Sequence, residues 1–429
     1  MALAGKVGIW VRRGGFAVAD QGLVSSSNFA VSILLARWLE ADQYGAFALV
    51  FALFLLLSML YQCLLLEPMS VFGGGAYRAE LKSYLRSLLW IHAAISAAVL
   101  LILGAMAGVA ELRQDTGGLP GALAGMSFAA PCILLFWLAR RGCYLITSPG
   151  SAAAGAVLYC VLMIAGFWLA YRANRLSPLA AFLVIGAAAL LTGCALLAWL
   201  IPSLDPGLPG PTMRATWARH WQYGRWALGG SIASWVPAYV FFPVLGKLSG
   251  LASAGELKAL MNLAAPLTQV QAAFTMLLLP YAARLRGEGR RRKLARLTRL
   301  LTVATMGGCT AYWASVLLLR SSIFQLLYRG KYLGVAQLLP LVAIGSILWG
   351  GTFGYATVLR AMERPRLIFQ AYGAAAAASL AIGLPAVRMY GLSGAIWGMN
   401  VSDATALLLL WIMMRTAARA IGDETGDKG

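Results

Sequence analysis

The chain has 429 residues, of which 60% are hydrophobic and only 12% charged. A soluble domain carries about 25% charge, so this composition, with a mean hydropathy of +0.75, excludes a soluble globular protein and points to a polytopic membrane protein. The net charge of +20 does not call for nucleic acid, because Lys and Arg collect in the cytosolic loops of membrane proteins and make such chains basic.

Apolar stretches of the roughly 20 residues that a bilayer requires fall at 16–39, 44–66, 86–109, 120–139, 151–171, 178–201, 224–246, 257–281, 300–319, 335–359, 367–387 and 392–414. They predict an all-α protein with twelve transmembrane helices. Lys6, Arg12 and Arg13 precede a first apolar stretch that is too long for a signal h-region and has no cleavage site, so a retained helix is expected. Asp20 lies near the start of that span. Gln21, Ser25, Asn28 and Ser32 are spaced 4, 3 and 4 apart and share one helical face. An ionised residue at a helix centre costs roughly 2.5–3.5 kcal/mol on insertion scales, so a polar stripe faces protein or a water-filled path rather than lipid. Its residues either line a path for a polar substrate or bond neighbouring helices. Asp20 either holds a coupling cation or proton, or pairs with an arginine such as Arg13 or Arg225.

Span four ends at Arg140 and Arg141. With Arg12, Arg13 and Arg225 they are candidates for capturing an anionic group, since guanidinium presents a fork of donors to phosphate. The positive-inside rule accounts for the same residues without a ligand. Trp137, Tyr144, Trp226, Trp235 and Tyr239 either stack against a substrate or pack at the membrane interface. The six cysteines show no CxxC spacing and read as small apolar residues.

After six spans comes a segment rich in Pro and Gly, with Pro202, Pro206, Pro209, Gly210 and Pro211. It divides the chain into an N-terminal lobe (1–201), a linker (202–222), a C-terminal lobe (223–415) and a tail (416–429). A faint parallel repeat supports two lobes: Leu35-Ala36-Arg37 with Gly45 matches Leu245-Gly246-Lys247 with Gly255 at a shift of 210 residues. In span eight Asn262, Pro266 and Gln269 share a stripe, and Pro237 and Pro266 are expected to bend their helices. The basic run Arg284–Arg299 is read as a topology anchor against anionic headgroups. In span twelve Asn400 and Asp403 lie three apart on one face, where an acid marks substrate contact, ion coupling or a structural hydrogen bond.

With the N-terminus placed in the cytosol, 25 of the 35 Lys and Arg fall on the cytosolic side and 10 on the other. Both termini are therefore expected to be cytosolic. No Walker A pattern is present, and Gly330-Lys331 lacks the required context. Two histidines, His92 and His220, build no HExxH site. No cofactor, metal or catalytic residue is expected.

Several motifs carry a resemblance. Leu34-Leu35-Ala36-Arg37-Trp38-Leu39-Glu40 through Tyr44-Gly45 resembles the first extracytoplasmic turn of bacterial polysaccharide flippases, a branch of the multidrug/oligosaccharidyl-lipid/polysaccharide (MOP) exporter superfamily, with Glu40 standing where that family has Gly. Leu327-Tyr328-Arg329-Gly330-Lys331-Tyr332, Glu363-Arg364-Pro365-Arg366 and Tyr390-Gly391-Leu392-Ser393-Gly394-Ala395 resemble later family loops in the same order. The resemblance implies two six-helix lobes that alternately expose a central cavity, and a polyprenyl-pyrophosphate-linked oligosaccharide as substrate. Its partners would be that lipid-linked oligosaccharide, membrane lipids and other polysaccharide-assembly proteins. A drug/cation antiporter of the same superfamily, with Asp20 and Asp403 as cation sites, is the alternative. A membrane-embedded polysaccharide-assembly enzyme is a third reading.

Overall fold

The computed structural model describes residues 2–114, 117–146, 148–204, 210–362 and 364–426. The side chains of Arg12, Arg13 and Trp226, and residues Pro206, Pro209 and Glu363, lie outside the described residues. Among the described residues every regular element is helical. In chain order these are α1 (Ala2–Trp38), α2 (Ala41–Tyr61), α3 (Glu67–Gly74), α4 (Leu81–Leu112), α5 (Leu119–Leu145), α6 (Pro149–Arg172), α7 (Pro178–Leu200), α8 (Met213–Tyr239), α9 (Phe241–Leu248), α10 (Leu251–Gly287), α11 (Arg291–Leu318), α12 (Arg320–Tyr328), α13 (Leu339–Ala361) and α14 (Pro365–Gly426). The protein is an all-α, multi-pass membrane protein.

Nine helical stretches among the described residues are long and apolar enough to cross a membrane. The difference from the twelve expected spans has a physical cause. The stretch Arg366–Thr416 holds two of the expected spans, because α14 is two helices joined at Gly391, with φ 55° and ψ −125°. Its halves fold back on each other: Ser379 Oγ donates to the Gly398 carbonyl at 2.8 Å. Gly383 and Gly398 meet face to face against the Phe241 ring. The spans expected at 16–39 and 257–281 fall on α1 and α10, each of 37 residues; polar side chains lower the hydropathy of α1, and part of α10 lies outside the described side chains.

The chain forms two compact units, residues 1–231 and 232–429, and the boundary falls inside α8. In the first unit α5 is the central helix, packed on α2, α4 and α7, while α1 lies on α6. Small residues let the backbones approach: a Cβ at Gly186 of α7 would stand 2.9 Å from the Ala129 Cα of α5, and one at Gly193 would stand 3.2 Å from the Phe136 Cα. The Pro-rich segment is strapped to α4, with the Gly210 N–H donating to Ser83 Oγ at 3.2 Å and Ser87 Oγ donating to the Pro211 carbonyl at 2.9 Å. In the second unit α13 is central, against α10, α11 and α14. Leu285, Leu294, Leu297, Leu301, Phe353 and Val358 pack together there, and Thr305 Oγ1 reaches the Gly350 carbonyl at 2.7 Å.

The 210-residue shift reappears in the helix boundaries. Helix α1 ends at Trp38 and α2 starts at Ala41; α9 ends at Leu248 and α10 starts at Leu251. In the second turn Gly250 takes φ 90°, a left-handed value that favours glycine. Its counterpart Glu40 has φ −64° and ψ 162°, so the first turn needs no glycine. The loop at Arg329-Gly330 does use a left-handed pair, with φ 55° and 79°. Of the cysteines, Cys63, Cys132, Cys143 and Cys309 are buried, whereas Cys194 is exposed on α7. Helix α10 runs unbroken through Pro266, while α8 stops two residues after Pro237.

Candidate functional site

Arg140 and Arg141 are neighbours in sequence but about 100° apart around α5, and each meets a different helix. Arg140 turns to α1. Its Nε and Nη2 donate to the two oxygens of Asp20 at 3.1 and 2.6 Å, the forked geometry that guanidinium and carboxylate favour. The Tyr144 hydroxyl, one turn on, donates to Asp20 Oδ2 at 2.6 Å. Asp20 is 1% exposed and the Arg140 side chain 13%. A buried pair of this kind holds only when its remaining hydrogen-bond capacity is met, and here three donors converge on one carboxylate. Among the described residues the partner of Asp20 is thus Arg140, 120 residues away; the Arg13 side chain lies outside them.

The cluster continues through aromatic rings. The Arg140 guanidinium sits 5.3 Å from the centroid of Phe136, which stacks on Tyr159 of α6 at 4.9 Å. The Tyr159 hydroxyl donates to Asn28 Oδ1 at 3.3 Å, returning to α1. Gln21 Nε2 donates to Ser25 Oγ at 3.3 Å, and Ser32 bonds the Tyr44 hydroxyl at 3.3 Å. The polar face of α1 is therefore partly bonded within itself and to α2 and α6, while Gln21 and Asn28 remain exposed. Arg141 turns to the second span, within electrostatic reach of Glu67. Arg225 is exposed on α8.

In the second unit Asn400 is buried and donates from Nδ2 to the Leu341 carbonyl at 2.9 Å. Its amide oxygen and Asp403 Oδ2 both face Gly345 of α13, where a Cβ would stand 3.3 Å from the carboxylate. Tyr372 lies near Thr352 and within electrostatic reach of Asp403. Among the described residues Asp403 has no ion-pair or hydrogen-bond partner. Asn262 is buried on α10 and Gln269 is exposed seven residues further on.

Tyr159, Tyr372 and Glu67 were not singled out from the sequence. Tyr159 and Tyr372 look like ordinary aromatics in apolar runs, and Glu67 falls just past the expected end of span two. An acid immediately after an apolar run, followed by Pro68, is the signal that was present for Glu67.

The sequence matches no protein-family model and no curated protein. Solved structures do match it. An inward-facing conformation of a multidrug resistance MATE family transporter of the MOP superfamily is 11% identical, covers 95% of this chain and 99% of its own, with a TM-score of 0.78. The lipid II flippase MurJ, in an inward closed conformation, is 13% identical, covers 93% of this chain and 87% of its own, with a TM-score of 0.71. An outward-facing conformation of a MATE family transporter is 14% identical, covers 97% and 96%, with a TM-score of 0.65. The fold is that of MOP superfamily transporters.

Proposed function

We propose that this chain is a flippase. It carries a polyprenyl-pyrophosphate-linked oligosaccharide across the bacterial inner membrane for surface or exopolysaccharide synthesis. In this reading twelve spans form two lobes, 1–201 and 223–415, joined by the linker 202–222, with both termini and the tail 416–429 cytosolic. Alternating access of the lobes moves the sugar and pyrophosphate while the polyprenyl tail stays in lipid. Membrane lipids and other polysaccharide-assembly proteins are its neighbours.

The observation that carries this reading is the Asp20–Arg140–Tyr144 cluster. A guanidinium fork and a hydroxyl already hold two anionic oxygens inside the helix bundle, which is the donor set a phosphate requires. The substrate pyrophosphate displaces the Asp20 carboxylate from Arg140, and the released carboxylate takes a proton or cation. Substrate binding and ion binding are then linked through one arginine. Gln21, Ser25 and Asn28 offer amide and hydroxyl groups to the sugar on the same helix, with Asn262, Gln269 and Asn400 as further polar contacts and Arg141 and Arg225 as further cations. Asp403 is the second ion-coupling position. The fold likeness to a lipid II flippase supports a lipid-linked substrate.

The test is a strain lacking the gene. Lipid-linked oligosaccharide is expected to build up on the cytosolic leaflet while surface polysaccharide disappears, with reversal by the intact gene. Arg140→Lys keeps the charge but loses the fork, and is expected to fail in rescue. Full surface polysaccharide without build-up overturns the flippase reading, and full rescue by Arg140→Lys overturns the role of the fork. The multidrug transporters among the structural neighbours favour a second reading, drug/cation antiport. It predicts cation-driven dye efflux that is lost in Asp403→Asn, with lipid-linked oligosaccharide unchanged.

A further inference from the structure

The second span is not a plain α-helix. Between α2 and α3 the residues Gln62–Leu66 form a π-helical turn, and the Glu67 N–H bonds the Gln62 carbonyl five residues back. In an α-helix residues five apart point about 140° away from each other. The wider turn brings Gln62 and Glu67 to one side. There they line a cavity of about 220 Å³ with Ser58, Cys63, Trp137 of α5 and Ser231 of α8. Turns of this type cost regular hydrogen bonding and concentrate at functional sites.

This turn is clamped from outside. His220 Nδ1 donates to the Leu64 carbonyl at 2.9 Å, and the Tyr84 hydroxyl donates to His220 Nε2 at 2.7 Å. Gly224 allows close approach of α8, since a Cβ there would stand 2.5 Å from the Cys63 carbonyl oxygen. Ser231 Oγ lies 3.0 Å from Cys63 Sγ. Three positions on one helix thus hold the wide turn in place, and the cavity is preformed.

The lining defines the ligand. Among the described residues neither Gln62 nor Glu67 has a hydrogen-bond partner for its side chain, so an amide and a carboxylate are available side by side. Arg141 lies within electrostatic reach of the carboxylate and offsets part of its charge, which lowers the attraction for a free cation. Trp137 and Met59 supply an apolar face beside these polar groups. The volume is below the roughly 300–1,000 Å³ of drug-sized sites and suits a single ring. We propose that this cavity is a subsite for one sugar ring. Glu67 and Gln62 bond adjacent hydroxyls, and Trp137 packs against the ring's C–H face. The proposal rests on the flippase reading for its biological ligand.

The experiment uses the full-length protein in lipid nanodiscs and saturation-transfer NMR with free glucose, galactose, mannose, rhamnose and N-acetylglucosamine. At least one sugar is expected to bind, with its ring C–H protons most strongly saturated. Glu67→Gln, Gln62→Ala and Trp137→Leu are each expected to weaken it about tenfold, the factor that 1.4 kcal/mol of lost contact gives, with the melting temperature retained. Two substitutions besides the tryptophan keep the test open if that variant does not fold. No binding by the unaltered protein, or binding that all three variants leave untouched, overturns the subsite. So does binding of ethidium at this cavity, shown by its loss in Glu67→Gln. Translocation plays no part in this readout. A protein that binds sugar here but clears no lipid-linked oligosaccharide overturns the flippase reading alone, and one that flips without binding sugar here overturns the subsite alone.

Discussion

The two units share a plan and treat an intramembrane acid in opposite ways. In each, the fourth long helix is central: α5 in the first and α13 in the second, both packed through small residues. In the first unit Asp20 receives two bonds from Arg140 and one from Tyr144. In the second Asp403 faces a glycine on α13 and, among the described residues, has no such partner. A closed ion pair contributes to holding helices together and is costly to break. An open carboxylate contributes little to packing and leaves a place for a proton or cation. The comparison separates an acid closed in an ion pair, which the proposed transport cycle has to open, from one that is already open to a passing ion.

The strongest way to break this comparison is to remove one side of the pair. Asp20→Ala leaves the Arg140 guanidinium buried and uncompensated, and a loss of roughly 3–5 kcal/mol is expected, seen as a large drop in melting temperature in detergent. A melt unchanged by Asp20→Ala would mean that Asp20 is no more structural than Asp403.

A second, smaller effect comes from acid. Burial pushes the His220 pKa down to about 4 from its ordinary 6.5. The unfolded chain therefore binds more protons at this site between those values, and stability falls as pH drops through that window. Protonation also turns Nε2 into a donor, which ends its acceptance from Tyr84. A loss of roughly 1–3 kcal/mol is expected between pH 6.5 and 4. His220→Gln should flatten that slope in pH-dependent melts, and an unchanged slope would place the acid sensitivity elsewhere.

The smallest stability effect is expected where the transport effect is largest. Asp403→Asn breaks no hydrogen bond or ion pair among the described residues and should shift stability far less than Asp20→Ala, while, on the proposed function, abolishing the cation or pH dependence of transport. Melting curves and uptake in proteoliposomes, measured on the same preparation, check both halves. A melt shift equal to that of Asp20→Ala would erase the distinction between the units.

Much of the architecture was legible along the chain because it follows from local chemistry. Apolar runs mark helices wherever a bilayer is the solvent, and the turn at Gly391 and the boundary at Gly250 lie where glycine appears in the sequence. The 210-residue repeat was visible in a few matched positions because corresponding helix ends need similar residues. The candidate acids were legible too, since a charge inside an apolar run stands out.

Their partners were not. Asp20 and Arg140 are 120 residues apart, and nothing local tells Arg140 from Arg141; only the tertiary fold, which brings Asp20 of α1 to one side of α5 and Glu67 to another, sends one guanidinium each way. Gln62 and Glu67 would point apart on a regular helix, and only the π-helical turn, held by His220 and Gly224 from α8, brings them to one cavity. The sequence by itself determined which segments are helical and apolar, because solvation acts on each residue where it stands. The tertiary structure decided which charges are paired and which are open, because pairing depends on distances between helices that no run of neighbours encodes.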